Sequence, residues 1–335
     1  MQLGFTDVLI TVLFLLALGI PGFILAKIKA LPEKSENVIS VLVLYACQPA
    51  LVFMAFQKTV FSPDLALNML LVAGLAVVVH AVMIAFVYLV FRNKNKEAKI
   101  NCMRFASVFS NCGYMGLPFL QSLFAGGSAQ VQGEILIYAG VVIAVFNLFN
   151  WSIGVYMISG DKKQMSVKNA LLNPTVIGLF LGLIVFFTVR TPFVNLASPE
   201  SVGGKIIVQA VKSINFLAEA VTPLAMTVIG IKLANSSFKK VFLDKWAYVT
   251  AFNKLVVMAL VAMLCVAFLP LPVTVKYAVF FTLAMPSATG TVMFAVRFGG
   301  DAESGSAFVL LSTLLSVISV PLMFLLMNNV LGVTI

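Results

Sequence analysis

From Phe5 to Ala26 the chain carries a single charged residue, Asp7, among residues that are mostly Leu, Ile, Val and Phe. Wound as a helix, a run of about 20 such residues matches the thickness of a bilayer core. Nine more runs follow, at roughly 37–57, 65–91, 100–124, 133–158, 170–189, 206–232, 243–269, 273–297 and 304–328. A soluble core could not hide them: only 10% of the 335 residues are charged, against roughly 25% in a soluble domain. Barrel-type alternation is absent, so the expected fold class is an all-α polytopic membrane protein with ten transmembrane helices. The first run has no preceding basic residue and no small-residue cleavage site, and reads as a span rather than a signal peptide.

The basic residues test that count. With the N-terminus outside, the inner loops hold sixteen Lys and Arg, and the outer side holds four: Lys58, Arg190, Lys205 and Lys276. One span missed or invented would scramble this alternation, so both termini are expected on the outer face of the cell membrane. The net charge of +10 then belongs to cytoplasmic loops facing anionic lipid, not to a nucleic-acid surface. The densest of these loops is FRNKNKEAK, from Phe91. Trp151 and Trp246 fall near inner span ends and read as interface anchors.

Two spans carry helix breakers near their middles. The fourth contains SNCGYMGLP, Ser110 to Pro118, and the ninth contains MPSATGT, Met285 to Thr291. Proline removes a donor and clashes with the preceding turn, and glycine loosens the backbone. Breaks are therefore expected around Gly116 and Pro118, and around Pro286 and Gly290. One such helix is readily explained as a kink. Two matched breaks, each loaded with polar residues, point to a site. Unwound backbone cannot face lipid and must be buried or line a cavity. Each half-helix that restarts offers unpaired N–H groups and a positive dipole end, which suit an anion. Ser110, Asn111, Gly113, Tyr114, Ser287, Thr289 and Thr291 are the candidate substrate contacts.

A faint internal repeat links YACQPAL at Tyr45 to EAVTPLA at Glu219, an offset of 174 residues. Two units follow, 1–160 and 161–335, with five spans each. An odd number of spans forces the second copy to insert inverted, a common transporter plan. The same offset pairs His80 with Lys254. Charges at the bilayer centre cost at least about 2.5–3.5 kcal/mol, so His80, Glu219 and Lys254 should face protein or water. Glu219 or His80 could exchange a proton during transport, and Lys254 could supply a fixed positive charge; pairing or snorkelling is the plainer alternative for each.

Cys47, Cys102, Cys112 and Cys265 show no metal-type spacing, and His80 is the sole histidine. No metal or cofactor is expected, and no nucleophile–base pair supports an intramembrane enzyme. A membrane sensor would need a further domain to pass on its signal.

The segment NCGYMGLP at Asn111 resembles the fourth-span signature of bacterial members of the auxin efflux carrier family, the PIN-like transporters. AMPSATGTVMFAVRFGGD from Ala284 is similar to their ninth span. LYACQPALVF, LLNPTVIGLFLGL, TPLAMTVIGIKLA and STLLSVISVPL agree in order and spacing. The resemblance covers nearly the whole chain. It implies two inverted five-helix repeats with crossed broken helices 4 and 9, as in the bile-acid symporters and sodium–proton antiporters. Spans 1, 2, 6 and 7 would form a scaffold, and spans 3–5 and 8–10 a moving transport domain. The implied activity is secondary transport, in the efflux direction, of a small mono- or dicarboxylate by alternating access. A sodium-coupled symporter of the same fold is the alternative; the absence of Asp and Glu from both breaks argues against it. Proton coupling and a scaffold-mediated homodimer are further implications. Gly290 departs from the pattern, standing where many relatives carry Asn.

Overall fold

A computed structural model of the chain describes residues 3–92, 97–198 and 200–331. The basic residues Lys94 and Lys96 of the 92–99 loop lie outside the described residues. Helices dominate, and the only β-type pairing among the described residues is one isolated antiparallel bridge, Ser110 to Ser287. Eight of the described helices are long and apolar enough to cross a membrane. We label the helical units α1 (Phe5–Lys27), α2 (Ser35–Phe56), α3 (Pro63–Val90), α4a (Ala98–Val108), α4b (Leu117–Leu123), α5 (Ala129–Ser159), α6 (Pro174–Thr188), α7 (Val202–Ala234), α8 (Lys245–Ala267), α9a (Val273–Ala284), α9b (Gly290–Phe298) and α10 (Ala302–Leu331). The remaining two expected spans coincide with the interrupted units α4 and α9.

Helix ends follow local chemistry. Ser62 caps α3 by accepting from the Leu65 N–H, with Pro63 as first residue. Asn173 caps α6 in the same manner, with Pro174 following. Gly299 closes α9b at φ +78°, a left-handed conformation that glycine adopts without strain. Large apolar side chains sit on both faces of the bundle. Phe280, Phe281, Phe308 and Phe324 are fully buried, while Phe14, Leu70, Ile184 and Ile318 are more than half exposed, the belt a lipid-facing surface requires.

The helices pack in two sets of matching pairs. The C-terminal half of α1 packs on the C-terminal half of α7, and α6 packs on α2. Likewise α3 packs on α5 and α8 on α10, while α4a packs on α10 and α9a on α5. The α1–α7 and α6–α2 contacts are backbone-close and need glycine. A Cβ at Gly230 would sit 1.9 Å from the Gly19 carbonyl oxygen, and one at Gly178 would sit 2.6 Å from that of Pro49. Small residues at helix contacts are how membrane helices gain packing without a hydrophobic drive.

Four stretches are wound as wider π-turns: Val43–Cys47, Cys112–Gly116, Asn150–Gly154 and Asn253–Val257. Such turns shift the register of the side chains that follow and often mark functional positions. Here they adjoin Gln48, contain Gly113 and Tyr114, contain Trp151, and contain Lys254. Trp151, expected as an interface anchor, also makes contacts within the bundle. Its half-buried ring packs 5.0 Å from that of Phe294, and the Arg297 guanidinium lies 5.5 Å from its centre, tying α5 to α9b.

Candidate functional site

The two breaks meet. α4a stops at Val108, and Phe109 is extended at φ −89°, ψ 121°. α9a stops at Ala284, and Met285 is extended at φ −59°, ψ 155°. The Asn111 N–H donates to the Pro286 carbonyl at 2.7 Å, and the Ala288 N–H donates to the Phe109 carbonyl at 2.8 Å. A short antiparallel pairing thus satisfies backbone that the breaks leave open. It also fixes two half-helix beginnings and two half-helix ends around one point.

The positions of the breakers differ in part from expectation. Pro286 lies within the unwound Met285–Thr289 stretch, and Gly290 is the first residue of α9b. Gly116 and Pro118, by contrast, lie beyond the fourth-span break, inside the helix that restarts. The π-turn explains this: the Met115 and Gly116 N–H groups both donate to the Asn111 carbonyl, at 3.0 Å each. Pro118 follows as the second residue of α4b, just past the end of the π-turn. The unwound residues are instead Phe109, Ser110 and Asn111.

The candidate contacts separate by what already holds them. Ser110 is buried, and its hydroxyl donates to the Leu283 carbonyl at 2.7 Å. Thr291 is buried, and its hydroxyl donates to the Ala288 carbonyl at 2.7 Å, so it stabilises the start of α9b. Tyr114 is half-buried and donates to the Ser40 carbonyl of α2 at 3.0 Å. The Ser287 N–H donates to the Ser312 hydroxyl at 3.1 Å, while the Ser287 hydroxyl has no partner among the described residues. Asn111 is 3% exposed, and its Nδ2 donor is likewise without a partner.

A residue that the motifs did not single out joins this group. Gln48 on α2 is buried, and its Oε1 accepts from the Thr175 hydroxyl at 3.0 Å. That bond turns Nε2 toward Gly113, where a Cβ would lie 3.0 Å from it, and among the described residues Nε2 has no partner. Two amide donors, Asn111 Nδ2 and Gln48 Nε2, thus lie beside the first turn of the helix that leads into α4b. Buried donors left unpaired cost about 1–3 kcal/mol each, a debt that an anionic acceptor would remove.

Lys254 is fully buried. Its ammonium donates to the Ser110 hydroxyl at 2.5 Å and to the Leu283 carbonyl at 2.9 Å, capping the end of α9a. His80 is also buried: its Nδ1 lies 2.7 Å from the Ala76 carbonyl, and its ring stacks on Phe149 at 5.2 Å. Glu219 is elsewhere. It is exposed, accepts from Asn215 Nδ2 at 2.7 Å, and stands at the interruption of α7. Burial pulls the Lys58 ammonium below its ordinary range, and the nearby Glu219 carboxylate opposes that shift, so Glu219 belongs to the Lys58 end of the bundle.

A cleft of about 630 Å³ opens between α7 and the start of α2 on one side and α9b and α10 on the other. Thr289 lines it, together with Lys34, Lys232, Arg297 and Glu36. In sequence the three cations stand far apart, each at the edge of a different span. Their convergence depends on tertiary packing, which no local motif encodes. Among the described residues no cluster of His, Cys, Asp or Glu could hold a metal, and the four cysteines are free.

A family described as "Membrane transport protein" matches residues 7–324. An uncharacterized transporter of Methanocaldococcus jannaschii is 22% identical over 94% of this chain and 96% of its own length. A Rhizobium meliloti protein described as "Putative malonate transporter" is 25% identical over 89% of each chain. An uncharacterized transporter of Methanothermobacter thermautotrophicus is 25% identical over 93% of this chain and 96% of its own length.

Proposed function

The chain belongs to the membrane transport protein family, and we propose that it is a secondary transporter that moves a small organic anion, a mono- or dicarboxylate, by alternating access at the crossing of α4 and α9. The observation that carries this reading is the meeting of the two breaks. It leaves the Asn111 and Gln48 amide donors, buried and unpaired, beside a helix N-terminus. These groups match the needs of a carboxylate: several fixed N–H donors and a positive dipole end in a site shielded from bulk water. The relative described as a malonate transporter supports the substrate class.

In this reading α4 and α9 complete ten spans in two inverted repeats. The pairing of α1 with α7 mirrors that of α6 with α2, and α3 with α5 mirrors α8 with α10, which supports the five-helix shift. The first group is the scaffold and the second the moving domain. The cleft runs between them, from Lys34, Lys232 and Arg297 to Thr289 at the crossing. By the distribution of basic residues it opens to the cytoplasm of the cell membrane, so the conformation is inward-facing. Tyr114, beside Gly113 in the π-turn, bonds Ser40, one turn beyond the cleft-lining Asn37, and so joins the crossing to α2.

Flux of radiolabelled malonate, malate and acetate into proteoliposomes tests the proposal. Saturable uptake of at least one carboxylate is expected, and its absence across such a panel rejects the substrate class. The cleft makes a second prediction. Arg297 is exposed and acts by attracting the anion through a screened field. Arg297→Gln should raise the KM for flux from the cytoplasmic side about 3-fold at low ionic strength, with kcat little changed. At 0.5 M salt the difference should vanish; a salt-independent loss of kcat would instead mean that Arg297 touches the substrate or holds the fold.

A further inference from the structure

We propose that Lys254 is a built-in monovalent cation of the crossing: its ammonium takes the place at which the freed oxygens of the broken helix would hold a sodium ion, so that the carrier operates without one. The inference deepens the transport reading given above, but its main test does not depend on flux.

The geometry is that of a bound cation rather than a salt bridge. Nζ is held by a hydroxyl and by a carbonyl at the C-terminal end of a half-helix, the oxygen types through which broken helices coordinate small cations. The two acceptors are themselves linked, the Ser110 hydroxyl donating to the same Leu283 carbonyl. Among the described residues no carboxylate lies within 4.0 Å of the Lys254 ammonium, so none balances it there. What balances it instead is the negative dipole end of α9a. The neighbouring His80 has its Nδ1 engaged by Ala76 and brings no negative charge. The π-turn Asn253–Val257 shifts the register of α8 where Lys254 reaches this point.

Two consequences follow. A sodium ion would have to displace a tethered ammonium from its own oxygens, and the tether makes that ammonium effectively impossible to dilute away. A fixed positive charge that travels with the crossing also offsets one negative charge of the substrate. A monocarboxylate would then cross without net charge movement by the loaded site, and a dicarboxylate with a net charge of about −1.

The test uses the purified full-length protein in detergent. Its unfolding temperature is measured in sodium, ammonium and choline chloride at constant ionic strength. The wild type should unfold at the same temperature in all three. Lys254→Ala should unfold earlier in choline and regain several degrees in sodium or ammonium, because a small cation then fills the emptied oxygen site. Adding Ser110→Ala to that variant should abolish the regain. A sodium-specific rise in the wild type would overturn the proposal, as would a Lys254→Ala protein indifferent to small cations. If Lys254→Ala does not fold, the wild-type comparison still decides. Proteoliposome flux equal in sodium and choline media is the expected companion result. If no carboxylate moves in either medium, the transport reading falls while the thermal result still judges Lys254.

Discussion

Asn111→Ala should lower carboxylate flux about 10- to 100-fold while the protein reaches the membrane in normal amount and unfolds at nearly the wild-type temperature. The separation of the two effects is the informative part. Asn111 Nδ2 is buried and donates to no group among the described residues. Its removal therefore breaks no bond that holds the fold, and it deletes a donor whose desolvation was uncompensated. What remains lost is its bond to a bound anion, worth about 1.5–3 kcal/mol for a charged acceptor. Asn111→Asp should be worse still, since it places a negative charge where the substrate carries one. Flux through Asn111→Ala at the wild-type rate would remove this residue from the site.

The second large effect concerns the fold. Gly230→Leu should abolish accumulation of folded protein. The Cβ alone would stand 1.9 Å from the Gly19 carbonyl oxygen and 2.8 Å from its carbon, so α1 and α7 would have to separate. Gly22 makes the reciprocal approach, its Cβ position 2.4 Å from the Thr227 carbonyl oxygen. Backbone does not yield as a flexible side chain does, and the loss should exceed about 4 kcal/mol, beyond the ordinary range for a point substitution. Gly74→Ala is the control. Nothing lies within 4 Å of its Cβ position, and it sits inside α3. That change should be neutral or stabilising by up to about 1 kcal/mol, through helix propensity. The comparison is read from the amount of monodisperse protein and its unfolding temperature. Equal behaviour of the two variants would contradict the close α1–α7 contact.

Much of the helical layout was written in the chain, because apolar runs bounded by charge respond to bilayer thickness rather than to tertiary detail. The paired interruptions were equally legible, since proline and glycine act locally. Their placement within the fourth unit was not. A wide turn takes in Gly116 and leads on to Pro118, and the unwound residues prove to be Phe109 to Asn111, which carry no breaker of their own. Which polar groups are spoken for was also hidden. Thr291 looks from sequence like a ligand and serves as a helix-start bond, whereas Gln48 looks like one more residue of a packed motif and presents a free donor. From sequence, Glu219 and Lys254 look alike as intramembrane charges. Lys254 stands at the crossing and Glu219 at the Lys58 end, a difference set by where α7 breaks and how α8 packs. The 174-residue offset paired His80 with Lys254, and both are buried.

The central claim is that a negatively charged guest sits at the junction of the two breaks. Its most direct test is thiol protection at Thr289, the half-buried residue where the cleft reaches the crossing. With the four native cysteines replaced, a Thr289→Cys protein is labelled with a charged thiosulfonate reagent, with and without the transported carboxylate. The account predicts labelling that slows at least several-fold as the carboxylate approaches saturation, while a cysteine placed at Leu243, exposed in the neighbouring α7–α8 connection, labels at an unchanged rate. Labelling of Thr289→Cys that is indifferent to saturating carboxylate would place the guest elsewhere and contradict the account.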